Sequence, residues 1–307
     1  MLRLEGKGQL PEALVRPVVT LGTFDGVHLG HQAVIRETIE WAEEIEGTSV
    51  IVTFDHHPRA VLGGMAASFI TSLEHRLVLF ERLGIDVCAV LKFNHDLAQI
   101  SAEDFVKEYF CKWLGASGVM LGYDCRFGNG ARGNVDLVHQ LAPDYGFEAR
   151  ACEQTSLGNL LPSSTSIRHA ITSGQLSQAS QMLGRPVSIL GRVVKGNRRG
   201  HTIGFPTANL DPLHEIVPPG GVYACRVELD GDNYEAVSNI GLRPTVSDQT
   251  KPTIESHILD YEADLYGRDI EVQFIEHLRS EKKFSGLEEL KTQIAKDVEK
   301  ARTILSK

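Results

Sequence analysis

Gly22-Thr23-Phe24-Asp25-Gly26-Val27-His28-Leu29-Gly30-His31 stands between a short apolar run, Val18 to Leu21, and an amphipathic stretch over residues 31–46. That order reads as a buried strand feeding a helix. The turn is then the carboxyl end of a strand and the amino end of a helix. Main-chain N–H groups are unpaired at such a helix end, which also carries partial positive charge, so a phosphate fits there. Gly22, Gly26 and Gly30 allow a triphosphate to approach the main chain closely. His28 and His31, near one helical turn apart, can both face that pocket and stabilise charge building on an α-phosphate.

The same rhythm extends along the first half. Ser49 to Phe54, Asp86 to Leu91 and Gly118 to Leu121 read as further buried strands, and residues 71–83, 101–114 and 133–145 as helices. Alternation of this kind predicts an α/β domain, a parallel sheet with helices on both faces in a Rossmann-like arrangement. A further helix is expected after Pro162-Ser163-Ser164-Thr165, whose hydroxyls are good N-caps, and a last one ends near Leu183-Gly184. From Gly184 the strands lose their intervening helices: Val187 to Val194, Val222 to Leu229, Tyr234 to Ile240, Thr253 to Leu259 and Ile270 to Ile275. Turn residues such as Asp230-Gly231 and Tyr266-Gly267 separate them, which predicts a small antiparallel β-barrel. Leu287, Leu290, Ile294, Val298 and Ala301 then mark one face of a C-terminal helix packed on that barrel. The expected domains are 1–183 and 184–307.

Composition narrows the function. The 307 residues carry 31 basic and 40 acidic side chains, a formal charge of -9, which argues against a protein that coats nucleic acid. Five cysteines, Cys88, Cys111, Cys125, Cys152 and Cys225, lie far apart with no CxxC pair, so neither zinc nor a disulfide framework is indicated. No apolar run approaches the ~20 residues of a membrane span, and the expected location is the cytoplasm. An oligomer is possible but not indicated. Gly128-Asn129-Gly130-Ala131-Arg132-Gly133 matches a dinucleotide fingerprint in letters, but it begins several residues after its strand and reads as a turn.

The stretch GTFDGVHLGH resembles the HxGH nucleotidylyltransferases, and in particular the adenylyltransferase module of prokaryotic bifunctional riboflavin kinase/FAD synthetases. Thr53-Phe54-Asp55-His56-His57-Pro58 is similar to that family's TFDPHP, with His56 where proline is usual, and Gly122-Tyr123-Asp124-Cys125-Arg126-Phe127-Gly128 is similar to GxDFxFG, with Cys125 replacing an aromatic residue. Ser163-Ser164-Thr165-Ser166-Ile167-Arg168 is similar to SSTxIR. The resemblance implies that His28, His31 and Arg168 act in adenylyl transfer. It implies nucleotide and phosphate contacts at Gly22, Phe24, Gly30, Ser163, Ser164 and Thr165, and flavin contacts at Pro58 and Asp124. A solvated pair is an equal reading of His56 and His57.

Residues 191–210, GRVVKGNRRGHTIGFPTANL, form a basic, glycine-rich segment with Arg192, Lys195, Arg198 and Arg199 and no acidic neighbour in the span. Such a flap can cover nucleotide phosphates without a Walker sequence, which the chain lacks. Thr207 and Asn209 lie two apart and share a side if the chain is extended there. Their oxygens suit magnesium that is also held by ATP. This passage resembles the riboflavin kinase signature, and the likeness continues through Asn239 to Thr245, Glu255 to Asp260, Asp264 to Gly267 and Leu278 to Phe284. It implies Thr207 and Asn209 as magnesium ligands and Glu255 as general base. Lys195, Gly196, Arg199 and Gly200 become phosphate contacts, and Arg279 and Phe284 line the flavin side.

The expected activity is twofold: riboflavin to FMN with MgATP, then FMN to FAD and pyrophosphate with a second ATP. Riboflavin, FMN, FAD and ATP are the expected partners, with Mg2+ as metal. Two rivals stay open on sequence alone: a chain with one working activity, and a flavin-binding regulatory or storage protein. The second has no use for a general base or magnesium ligands.

Overall fold

Four of the apolar runs pair as the interior of one parallel sheet in a computed structural model of the chain. It describes all residues except 9, 11, 62, 64–68, 155, 157–159, 196–203, 213–215, 245–249 and 307. The described chain divides into two compact units, residues 1–69 with 73–163, and residues 70–72 with 164–307.

In the first unit the strands are β1 (Leu2–Glu5), β2 (Val18–Leu21), β3 (Ser49–Phe54), β4 (Val87–Leu91), β5 (Gly118–Gly122) and β6 (Glu148–Cys152), in the sheet order β1-β4-β3-β2-β5-β6. Every pairing is parallel. All residues of β2, β3 and β4 are buried, which is why these strands read as unbroken apolar runs. The crossover segments are α1 (Leu29–Glu44), the short α2 (Pro58–Val61), α3 (Leu73–Leu83), the short α4 (His95–Gln99), α5 (Ala102–Phe105) and α6 (Val135–Tyr145). The helix expected over 101–114 continues past α5 as wider π turns over Val106–Trp113. Helices α1 and α3 pack Ile35 and Phe80 against Ile51 and Cys88 on one face of the sheet. Phe105, Phe110 and Val138 pack with Val50, Val52 and Val119 on the other. From β2 the chain steps through β3 and β4 to one side, then returns to β5 on the other. This reversal places a crevice beyond the carboxyl ends of β2 and β5.

The second unit is a closed six-stranded barrel, β10-β11-β8-β7-β12-β9. Its strands are β7 (Val187–Val194), β8 (Ala208–Pro212), β9 (Gly221–Leu229), β10 (Asp232–Pro244), β11 (Thr250–Ile258) and β12 (Asp269–Arg279). Helices α7 (Ser164–Thr172) and α8 (Leu176–Leu183) belong with it, because Ile167, Ile171 and Met182 share one core with Val187, Val227 and Phe274. The compact units therefore part at Ser163/Ser164, ahead of the cut at 183 read from the strand pattern. Gly184 does end α8, in the left-handed conformation expected of a helix C-cap.

The last helix, α9 (Leu287–Leu305), covers the barrel through Val298, Ala301 and Leu305. Its face is not the one expected at the amino end, where Leu287 is 66% exposed. Asp297 is buried instead, since its carboxylate receives the guanidinium of Arg279. The glycine-rich decoy at 128–133 is a tight turn: Asn129–Ala131 form a single 3-10 turn and Phe127 bridges Gly133.

Candidate active sites

The loop after β2 has an unusual main chain. Phe24 and Val27 adopt positive φ, 49° and 41°, and Gly26 lies at 84°. Phe24 is buried, with its ring edge-on to His31 at 5.3 Å and to Phe80 at 5.8 Å. A Cβ at Gly22 would meet that ring at 3.0 Å, and one at Gly30 would meet Cε1 of His28 at 3.2 Å. Both glycines thus make room for the rings of the site itself.

His28 caps α1. Its Nδ1 accepts the N–H of His31 at 3.4 Å, which leaves Nε2 as the ring's proton-bearing nitrogen in the neutral form. The two imidazoles stack with centroids 3.6 Å apart and planes at 21°. No acidic residue stands in the first turn of α1.

Because β3 and β5 flank β2, the loops after all three strands emerge at one sheet edge. After β3, the Asp55 carboxylate accepts the N–H groups of His56 and Phe93 at 2.7 and 2.8 Å, and Nδ1 of His56 lies 3.0 Å from it. Pro58 opens α2. After β5, Tyr123 and Asp124 are exposed, and Cys125 N–H donates to Gly122 at 2.9 Å to close the turn. The Cys125 thiol points back to the carbonyl of Leu21 at 3.6 Å, and burial pushes its pKa up to about 12. It is a neutral strut between two loop bases.

Sequence reasoning missed Arg76 on α3, which is fully buried and bonded to the ends of β2 and β3. It falls within the helix expected over 71–83, with no local pattern that singles it out. Ser163 is the last residue of the first unit, while Ser164, Thr165 and Arg168 lie on the first turns of α7 in the second. That helix also has no acidic residue in its first turn.

In the barrel, Leu210, Ile254 and Ser256 point inward, so Asn209 and Glu255 take the outer side of β8 and β11. They are direct register partners, and Asn239 of β10 stands opposite Glu255 on its other side. Directly opposed residues bring their Cβ atoms to roughly 4.5–5.5 Å. Thr207 precedes β8 on the same side as Asn209. Both line a cavity of about 790 Å³ with Tyr261, Asp264, Leu265 and Tyr266. Glu255 is beside this cavity through its register with Asn209 rather than on its wall. A hydroxyl and an amide oxygen are hard donors too few to hold Mg2+ alone, which fits an ion that shares ATP phosphates. His257, also missed from sequence, holds the carbonyl of Pro206 at 2.7 Å through Nδ1 and packs edge-on to Phe205.

Arg192 of the expected basic flap is taken by Asp269, with two contacts of 2.8 Å. Lys195 is exposed, while Gly196, Arg198, Arg199 and Gly200 lie outside the described residues. Arg279, expected on the flavin side, spends its guanidinium on Asp297 and Ser280, with its Cζ 5.7 Å from the Phe284 ring.

A family model described as FAD synthetase matches residues 10–166, and one described as riboflavin kinase matches residues 183–305. The bifunctional riboflavin kinase/FMN adenylyltransferase of Pseudomonas fluorescens is 37% identical over 287 residues, covering 94% of this chain and 92% of that protein. The protein of the same name from Bacillus subtilis is 37% identical over 300 residues, covering 95% and 93%. A solved structure named a macrolide-efflux protein, from Streptococcus pneumoniae, is 30% identical with a TM-score of 0.83 and covers 98% of this chain and 99% of its own. Among the described residues of this chain, no helix is long and apolar enough to cross a membrane.

Proposed function

The chain belongs to the bifunctional riboflavin kinase/FMN adenylyltransferase family, and from that premise we propose how its residues divide the work. It converts riboflavin to FMN and FMN to FAD, with ATP as co-substrate in both steps. The observation that carries the division is the separation of two motif sets. The stacked His28/His31 pair closes β2 in the first compact unit, and the Asn209/Glu255 register pair stands beside a cavity in the second.

In the kinase half, Glu255 accepts the proton of the riboflavin 5′-hydroxyl. The hydroxyl oxygen attacks the γ-phosphorus of ATP, the bond to the β-phosphate oxygen breaks, and ADP leaves. A base so placed is worth about 10²–10⁴-fold. Thr207 and Asn209 would hold magnesium, which would offset charge on the transferring group. Lys195, Gly196, Arg199 and Gly200 keep the phosphate contacts that the resemblance implies, and Phe284 the flavin contact. Arg279 we assign to holding α9, on the strength of its fork with Asp297.

In the adenylyltransferase half, an FMN phosphate oxygen attacks the α-phosphorus of ATP and pyrophosphate leaves. Ring N–H groups of His28 and His31 and the main chain at the start of α1 steady the α-phosphate oxygens. Phe24 acts through His31, which its ring abuts. To Ser163, Ser164, Thr165 and Arg168 we keep the phosphate role that the likeness of their motif implies. Asp124 and Pro58 face the flavin side. A cytoplasmic location is supported by the five free thiols, all buried or half-buried.

The test is incubation of the purified protein with riboflavin and MgATP, followed by separation of the flavins. FMN appears first and FAD after it; recovery of riboflavin alone contradicts the proposal.

A further inference from the structure

Among the described residues Arg76 is the one fully buried arginine, and no step above uses it. Its Nη1 donates to the carbonyl of Thr23 at 2.7 Å and to Oγ1 of Thr53 at 2.9 Å, and its Nη2 donates to the carbonyl of Phe54 at 3.0 Å. The Thr53 hydroxyl donates in turn to the same Thr23 carbonyl at 3.3 Å. The Phe69 ring lies 4.9 Å from Cζ. None of the three acceptors is a carboxylate.

A charge withdrawn from water is ordinarily matched by an opposite one, since burial alone is costly. Asp25, which exerts the strongest opposing field on Arg76, makes none of these three bonds. The arginine instead spends its fork on oxygens at the carboxyl ends of two adjacent strands. Packing alone does not call for such a group, because a neutral side chain of similar volume fills space without the desolvation cost.

Two things follow from where the fork lands. Thr23 opens the loop in which Phe24 and Val27 hold positive φ, and backbone of that kind persists only when its surroundings fix it. Arg76 ties that loop to the end of β3. Its charge also lies in a low-dielectric interior close to the edge where anionic substrates meet, so its field is little screened.

We infer that Arg76 is a positioning residue for adenylyl transfer, clamping the Thr23 main chain to the end of β3 and adding fixed positive potential beneath the α-phosphate site. The inference rests on the reading of His28 and His31 as the groups that handle that phosphate.

The test uses the full chain with Arg76→Met, Arg76→Lys and His28→Ala, and measures FAD formation from supplied FMN and MgATP. Arg76→Met lowers kcat about 100-fold, the scale of a small misplacement at a reacting centre, while KM for FMN stays within about threefold. Arg76→Lys keeps the charge but not the fork, and recovers about tenfold of that loss. Riboflavin phosphorylation is unchanged in both. If Arg76→Met does not fold, Arg76→Lys decides alone: a kcat about tenfold below wild type at unchanged KM supports the inference. Wild-type kcat in the folded variants overturns it, as does equal impairment of Lys and Met. A crippled His28→Ala beside wild-type-like Arg76 variants overturns this inference alone; an unimpaired His28→Ala overturns the phosphate-site reading and the inference with it.

Discussion

Removing the Asp297 carboxylate should loosen the barrel unit at its contact with α9. Arg279 Nε lies 3.0 and 2.9 Å from its two oxygens and Nη2 lies 2.8 Å from Oδ2, while Gln293 donates to Oδ1 at 2.9 Å. The side chains are 7% and 22% exposed for Asp297 and Arg279. Breaking a buried pair by deleting one partner costs about 3–5 kcal/mol. Arg279 keeps some access to water, which reduces the figure for Asp297→Ala to about 2–3 kcal/mol. For a unit of this size each kcal/mol moves Tm by about 2–4 °C, so calorimetry on the full chain should show the barrel transition about 5–10 °C lower. Asp297→Asn keeps the Gln293 contact and one acceptor and should lose about half as much. A Tm within about 2 °C of wild type in Asp297→Ala would show that the fork does not hold α9 in solution and would leave Arg279 to face the flavin.

Three further expectations follow from the same contacts. Burial pushes the thiols of Cys88, Cys125 and Cys225 from 9.0 up to about 12. A raised thiol pKa contributes stability that is full below pH 9 and is lost as pH climbs towards 12, so the urea midpoint should fall between pH 8.5 and 11, and fall less in Cys225→Ala. Loss of the His257 bond to Pro206 in His257→Leu should cut FMN formation about tenfold and raise the Mg2+ needed for half-maximal rate, with His257→Asn retaining most activity and FAD synthesis from FMN unaffected. Gly118→Ala places a Cβ 2.6 Å from the Trp41 ring, which should cost about 1–3 kcal/mol in urea unfolding and be partly relieved by Trp41→Phe in the same chain.

The interior of the sheet was legible because β2, β3 and β4 are buried on both sides, and burial on both sides forces continuous apolar sequence. The edge strands were not. Three of the four residues of β1 are exposed and β6 is Glu-Ala-Arg-Ala-Cys, so neither carries an apolar run. Strand β8 was hidden for another reason: Ala208 to Pro212 is short and contains Asp and Pro, although the placement of Thr207 and Asn209 on one side already presumed an extended chain. Spacing carried the α9 face too far toward its amino end, where Leu287 is exposed, and passed over Asp297, a charged residue at a buried position. Motif singled out His28, His31, Asn209 and Glu255, but the stacking of the histidines and the β8/β11 register that pairs Asn209 with Glu255 became visible only in the structure. Arg76, His257 and the Arg279–Asp297 fork were not legible, since each depends on a partner distant in sequence and leaves no local pattern.

On the proposed division of labour, one chain carries two separate catalytic sites. The most direct measurement follows FMN and FAD formation separately in Glu255→Gln and His28→Ala, each supplied with riboflavin or with FMN in MgATP. Glu255→Gln should make no FMN yet still convert supplied FMN to FAD, and His28→Ala should accumulate FMN and make no FAD. Loss of both activities to the same extent in both folded variants would contradict two independent sites.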